Sequence, residues 1–113
     1  MAGQSLEKNE KVRKRKDYQE AYDKGVRYRS ENFIVLVKVN PTGAKRLGIT
    51  VSKKVGKKAV IRNRIKRLIR EFFRLNKDRF PDSKDIVIIA RNDISSFTYQ
   101  DVCVEFEKLF EKT

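Results

Sequence analysis

At 113 residues the chain can bury one hydrophobic core and not two, and 28 Lys and Arg against 15 Asp and Glu give it a net charge of +13 and a pI near 10.1. The absence of histidine and the single cysteine remove the commonest general base, a zinc ligand set and any disulfide within the chain. The excess charge is local: residues 8–74 hold 22 Lys and Arg against 6 Asp and Glu, and the remainder 6 against 9, so a polyanionic partner, nucleic acid or membrane, belongs to the first two thirds and the last third reads as scaffold.

Residues 1–8 are polar and aperiodic and read as a flexible leader, and residues 9–113 as one domain. Neither a secretion-type apolar region nor a run of membrane-spanning length is present, so the expectation is a soluble cytoplasmic protein. With Asn9 as cap, Lys11 to Lys24 reads as a helix stopped by Gly25. Tyr18, Ala21 and Tyr22 share one of its faces. Arg13, Lys14, Arg15 and Lys16 crowd its first half, where positive charge opposes the helix dipole unless an anion compensates.

Val26 to Ser30 reads as a short edge strand. Phe33 to Val39 reads as a longer one, with Asn40-Pro41-Thr42-Gly43 as a turn and Arg46 to Ser52 as its antiparallel hairpin partner. In that partner Leu47, Ile49 and Val51 alternate with Arg46, Gly48, Thr50 and Ser52, and Gly48 leaves its face bare enough for a backbone or a flat base to approach. Lys53-Lys54-Val55-Gly56-Lys57-Lys58 follows as a basic loop suited to phosphate contact.

The stretch from Ala59 to Arg74 is the most strongly patterned in the chain. Ile61, Ile65, Leu68, Ile69 and Phe72, with Phe73 on the flank, form one stripe at about 100° per residue. Arg62, Asn63, Lys66, Arg67, Arg70 and Arg74 occupy the opposite arc with one carboxylate, Glu71, among them. Cations at i, i+4, such as Arg62/Lys66 and Lys66/Arg70, repel. A merely solvated face would mix both signs, so the missing counter-charges point to phosphates.

Beyond a frayed end at Asn76 to Arg79 and a reset at Pro81-Asp82-Ser83, the unbroken Ile86-Val87-Ile88-Ile89 marks Asp85 to Ala90 as a central strand covered on both faces. Arg91 to Phe97 reads as loop. Thr98 caps a final helix with Val102, Phe106, Leu109 and Phe110 inward and Asp101, Glu105, Glu107 and Glu111 outward, and Cys103 reads as a small buried apolar residue.

These patterns favour nucleic acid. Arginine forks match phosphate oxygens, Asn63 can bridge a phosphate and a sugar hydroxyl or base edge, and Tyr18 and Tyr22, which could equally be core packing, can stack on unpaired bases. A membrane role conflicts with the need to bury the stripe of the basic helix. A metal-dependent nuclease built on Asp82, Asp85, Asp93 or Asp101 lacks a His or Lys placed as base.

Four stretches carry a family resemblance: Arg62-Asn63-Arg64-Ile65-Lys66-Arg67-Leu68-Ile69-Arg70-Glu71 with Ala59 ahead of it, Arg46-Leu47-Gly48-Ile49-Thr50-Val51-Ser52-Lys53-Lys54, Lys16-Asp17-Tyr18-Gln19-Glu20-Ala21-Tyr22-Asp23-Lys24-Gly25, and Asp85-Ile86-Val87-Ile88-Ile89-Ala90-Arg91. In this combination and order the chain resembles the protein subunit of bacterial ribonuclease P across most of residues 11–92. The resemblance implies an α+β fold, a two-layer α/β sandwich in the order αβββαβα with a four-stranded mixed sheet and a left-handed βαβ crossover, where chain physics alone favours the right-handed one.

It further implies an endoribonuclease whose chemistry belongs to the RNA. The catalytic RNA subunit positions Mg2+ and hydrolyses the phosphodiester at the 5′ end of precursor tRNA, while the protein, expected at one copy per RNA, supplies no catalytic residue, metal ligand or cofactor. On this reading Arg62, Asn63, Arg64, Lys66, Arg67 and Arg70 approach the RNA subunit. Tyr18, Tyr22, Phe33 with its strand, Lys53, Lys54 and Arg91 form a cleft for the 5′ leader, favouring precursor over mature tRNA. Tyr18 and Tyr22 stand where many members carry Phe, a tyrosine often found in the first long strand is replaced near Leu36, and Val55-Gly56-Lys57-Lys58 is more basic than in many relatives. The alternative is a ribosomal or general structured-RNA-binding protein with the same basic helix and no leader discrimination.

Overall fold

The computed structural model describes residues 10–12, 14–80 and 82–111, apart from the side chains of Phe110 and Glu111. The leader expected at 1–8, the Asn9 cap, Arg13 and the last two residues lie outside the described residues, as do the expected roles of the Phe110 and Glu111 side chains. The elements follow as α1 (Arg15–Lys24), β1 (Val26–Arg29), β2 (Phe33–Val39), β3 (Arg46–Thr50), α2 (Ala59–Leu75), β4 (Lys84–Ala90) and α3 (Tyr99–Glu111), with a 3₁₀ turn at Lys77–Arg79 between α2 and β4.

An apolar run such as Ile86-Val87-Ile88-Ile89 reads as covered on both faces, and β4 takes an interior place in the sheet order β1-β2-β4-β3 with Ile86, Val87 and Ile88 buried; Ile89 departs from the expectation and stays half-exposed, because α1 does not reach over it. Strand β4 pairs antiparallel with β2 from Phe33↔Ala90 to Val39↔Lys84 and parallel with β3 from Arg46↔Asp85 to Thr50↔Ile89. The expected β2–β3 hairpin is therefore not formed. Asn40 explains why: its N–H donates to Ser83 O at 2.8 Å and its Nδ2 to Asp85 Oδ1 at 2.8 Å and Ala44 O at 3.0 Å. Those bonds fasten the end of β2 to the start of β4 and carry the chain past β4 to its far side. The α2 crossover then joins the neighbouring parallel strands β3 and β4.

The first helix begins four residues later than the charge pattern suggests. Lys11 forms a parallel bridge with Leu47, the Val12 N–H donates to Leu47 O at 3.0 Å, and Val12 is buried, so this segment extends the sheet beyond β3 before α1 starts after Lys14.

Helices α2 and α3 cover one face of the sheet. Phe106 stacks on Phe33 and on Phe72, each at 4.7 Å between ring centroids, and Ile65, Ile69, Phe73, Ile86 and Ile88 complete a core from which water is excluded. Each such side chain contributes about 1.5–3 kcal/mol by burial. Ile61 and Leu68 lie at the rim of the stripe, half-buried. Cys103 is also at the rim and half-exposed, not buried as expected, because α3 turns it to the edge of the core while Val102 and Phe106 point in. Thr98 caps α3 as expected, with the Asp101 N–H donating to its Oγ1 at 3.2 Å and its own N–H to Asp101 Oδ2 at 2.9 Å.

Candidate nucleic-acid interface

The opposite face of the sheet carries only α1, and the pairing registers resolve it into three rows of side chains. Strand pairs place directly opposed residues on the same face. The first row, Arg46–Asp85–Lys38, is charged. Arg46 holds the buried Asp85 through two bonds of 2.6 Å and reaches Asp17 of α1 at 3.5 Å, and Lys38 meets Glu20 of α1 at 3.3 Å. Asp85 raises the Arg46 pKa, so this guanidinium stays charged. The second row, Gly48–Val87–Leu36, lies directly beneath the helix: Ala21, Leu36 and Val87 are fully buried against one another. The third row, Thr50–Ile89–Ile34, has no helix over it, and all three residues remain half-exposed.

Tyr18 links the second and third rows. Its ring fills the space over Gly48 so closely that a Cβ there would lie 2.8 Å from the ring atoms. The bareness of Gly48 thus serves a side chain of the protein's own, not an incoming base. Burial raises the Tyr18 phenol above its usual pKa, with a backbone hydrogen bond at Ile49 opposing and Tyr22 reinforcing, so the ring stays neutral. Tyr22 follows one turn later, on the flank of α1 away from Asp17 and Glu20, and is exposed. That flank faces the third row. Two tyrosines on one wall and Ile34 and Ile89 on the floor form a shallow cleft, and Lys53 and Lys54 lie exposed just beyond the end of β3 beside Thr50.

Two members of the expected leader site play other parts. Phe33 is fully buried against Phe106 on the other face, because β2 alternates and its neighbour Ile34, not Phe33, meets the cleft. Arg91 is half-buried and donates to Ser30 O at 2.6 Å and Glu31 O at 3.2 Å, bracing the β1–β2 turn against the end of β4. Leu36, at the position where a tyrosine was expected to be missing, is sealed under α1. The floor residues Ile34, Thr50 and Ile89 escaped sequence reading because nothing in an apolar strand tells which of its two faces is left uncovered.

Helix α2 presents the second surface. It begins after Lys58 without a side-chain cap and with no acidic residue in its first turn, leaving its positive dipole end without a neutralising side chain there. Asn63, Arg64, Arg67 and Arg70 are exposed, and Lys66 half-exposed. Glu71 meets Arg74 at 3.9 Å, and no other acidic side chain comes within ion-pair distance of this arc among the described residues. Cations past the end of the helix are treated differently: Lys77 is paired with Glu10 and Arg79 with Glu107. Arg62 donates to Gly56 O at 2.8 Å and Lys57 O at 3.0 Å, folding the basic loop back onto the helix, and Arg64 donates to Ser95 O in the β4–α3 connection. Val60, Ile61, Asn63, Arg64, Arg67 and Ser95 line a shallow depression of about 550 Å³ on this surface.

The carboxylates weighed as metal ligands all have structural partners: Asp85 with Arg46, Asp82 with Lys45 at 3.6 Å, Asp93 accepting from the Ser95 N–H at 2.8 Å, and Asp101 at the α3 cap. No group of three or more His, Cys, Asp or Glu that could hold a metal ion occurs among the described residues, and no helix there is long and apolar enough to cross a membrane.

A family model described as Ribonuclease P matches residues 6–113. The chain is 54% identical over 108 residues to the ribonuclease P protein component of Syntrophus aciditrophicus, covering 96% of this chain and 90% of that one. It is 42% identical over 112 residues to that of Desulforapulum autotrophicum, covering 99% and 95%. The solved RNase P protein of Staphylococcus aureus superposes with a TM-score of 0.80 at 37% identity over 90% of this chain and 93% of that one, and that of Thermotoga maritima with 0.79 at 35% over 92% and 97%. The half-covered sheet, the unpaired basic arc and these likenesses along nearly the whole length agree: the chain belongs to the family of bacterial ribonuclease P protein components.

Proposed function

We propose that the chain binds the catalytic RNA of ribonuclease P through the basic arc of α2 and the 5′ leader of precursor tRNA through the cleft beside α1, and so assists removal of the leader to give the mature 5′ end. The RNA subunit, with its Mg2+, carries out the hydrolysis, and the protein acts in the cytoplasm at one copy per RNA. The observation that supports this most is the contrast in pairing: among the described residues Arg64, Lys66, Arg67 and Arg70 of α2 lack acidic partners, while Lys77 and Arg79 past its C-terminal end have them. Unpaired guanidinium groups on a rigid helix lose little on meeting phosphates, which supply both charge and forked acceptors.

Within the arc the residues divide. Asn63, Lys66, Arg67 and Arg70 are available for RNA, whereas Arg62 and Arg64 each commit donors to main-chain oxygens and hold the neighbouring loops in place. In the cleft, Tyr18 is fixed over Gly48 and Tyr22 is the freer stacking surface. A leader held there adds affinity that mature tRNA cannot gain, which is discrimination by a difference of affinities.

Reconstitution with a bacterial catalytic RNA at low magnesium tests both surfaces. Arg67→Ala is expected to weaken assembly with the RNA about tenfold and to lower the slope of log affinity against log salt by about 0.9. Tyr22→Ala is expected to leave assembly intact and cut the precursor-to-mature affinity ratio by an amount worth roughly 1–3 kcal/mol of stacking. Equal affinity of the wild-type holoenzyme for precursor and mature tRNA would favour a general RNA-binding role instead.

A further inference from the structure

The third row of the cleft floor does not end at Ile34. The β1–β2 register sets Arg29 opposite Ile34 and Arg27 opposite Leu36, so both arginines stand on the same side of the sheet as α1, at its outer edge. Tyr28 between them turns to the other side and packs against the main core. Arg27 and Arg29 are exposed and have no ion pair or side-chain hydrogen bond among the described residues. Glu31, the carboxylate nearest to Arg29 in sequence, is exposed, and it is its main-chain oxygen that Arg91 and Asn92 use, while the Glu105 carboxylate is taken by Ser30 and Asn32. Toward the first row of this face cations are neutralised: Lys38 by Glu20, Arg46 by Asp85 and Asp17. The two ends of the third row, Lys53 and Lys54 beyond β3 and Arg29 on β1, have no such partner among the described residues, and the Arg91 brace fixes the turn that follows β1.

We propose that Arg29, backed by Arg27, forms a phosphate-binding subsite that carries the single-stranded leader beyond the cleft and across β1. Neighbouring strands lie about 4.8 Å apart, so the row Thr50–Ile89–Ile34–Arg29 runs about 14 Å from the Lys53/Lys54 side to the opposite edge. Along it the surface changes from lysines through an apolar, tyrosine-walled floor to a forked cation, the sequence of chemistries that a strand of alternating base and phosphate contacts requires. The inference rests on the leader-binding reading given above.

The test uses the reconstituted holoenzyme and precursor tRNAs whose leaders lengthen one nucleotide at a time, with mature tRNA as reference. Wild type is expected to gain affinity in two stages as the leader first fills the cleft and then reaches β1. Arg29→Ala is expected to remove the later gain, about three- to fivefold, and to lower the salt slope for long leaders by about 0.7. Arg29→Lys should restore most of the charge-dependent gain, and Arg29→Glu should make long leaders bind worse than intermediate ones. Full retention of the later gain in Arg29→Ala overturns the subsite. An equal loss for every leader and for mature tRNA also overturns it, because the residue then acts only through the general field. A wild-type holoenzyme indifferent to leader length and to Tyr22→Ala would instead overturn the leader-binding reading itself. Melting curves of each variant identify any loss caused by misfolding, and the charge reversal separates the two since both arginines lie outside the core.

Discussion

The two faces of one sheet are finished in different ways. On the side of α2 and α3, sixteen buried residues among those described form a continuous core with stacked Phe33, Phe72 and Phe106 at its centre. On the side of α1 the buried apolar cluster among the described residues is Ala21, Leu36 and Val87, with Gly48 and Asp85 buried next to it and a row of half-exposed residues beside them. The strands alternate in the same way toward both sides, so the difference lies in the cover. A thirteen-residue α3 and seventeen-residue α2 close one face, and a ten-residue α1 leaves the other partly open. Burial is concentrated on the closed side, and the open face can keep apolar residues in contact with water because it does not have to hold the fold together.

That division can be broken most severely from the closed side. Phe72→Ala, which removes a ring packed against Phe80 and Phe106, is expected to cost about 3–5 kcal/mol in urea or thermal unfolding. A loss below 1 kcal/mol would mean that the core is not the seat of stability.

Gly48→Ala probes the open side. The added methyl would sit 2.8 Å from the Tyr18 ring, which must swing outward. The expected cost is about 1 kcal/mol in stability, accompanied by a several-fold drop in preference for precursor over mature tRNA with RNA-subunit affinity unchanged. A crystal structure of the variant with Tyr18 undisplaced would contradict this coupling.

The smallest effect concerns the rim of the closed side, where Glu107 pairs with Arg79 and its carboxylate pKa is lowered chiefly by that bond. A depressed folded-state pKa means that the pair contributes above the unfolded value of about 4.3 and is lost as pH falls through the lower folded one. The difference in melting temperature between wild type and Glu107→Gln should therefore be present at neutral pH and vanish at strongly acidic pH. A difference that persists there would point to packing and not charge.

The closed side was also the more legible. The stripe Ile61, Ile65, Leu68, Ile69 and Phe72 states its inward face through periodicity and the unbroken run Ile86 to Ile89 marks an interior strand, and β2, α2 and β4 lie where those patterns put them. Pairing partners are not stated locally. Asn40-Pro41-Thr42-Gly43 has the composition of a hairpin turn, yet Asn40 spends its side chain on Asp85 and Ala44, and β4 comes between β2 and β3. The start of α1 was obscured for a similar reason, since nothing near Lys11 reveals that Leu47, distant in sequence, takes its neighbour's N–H. In the candidate site the charges of α2 could be read directly. The phase of β2, which buries Phe33 and exposes Ile34, could not, because both residues are apolar and only the extent of α1 decides between them.

Strand β1 has one further consequence. It forms an outer margin of the sheet, the kind of unpaired ribbon along which separate molecules can zip together into aggregates. At the other margin, β3, the Lys11 bridge already occupies part of the ribbon. At β1 the obstacle is electrical: Arg27 and Arg29 would be brought against their own counterparts in a β1-to-β1 contact. The arginines that would suit the strand to a polyanion would thus also oppose such a contact between free copies of the protein, and high salt, which weakens the first effect, weakens the second with it.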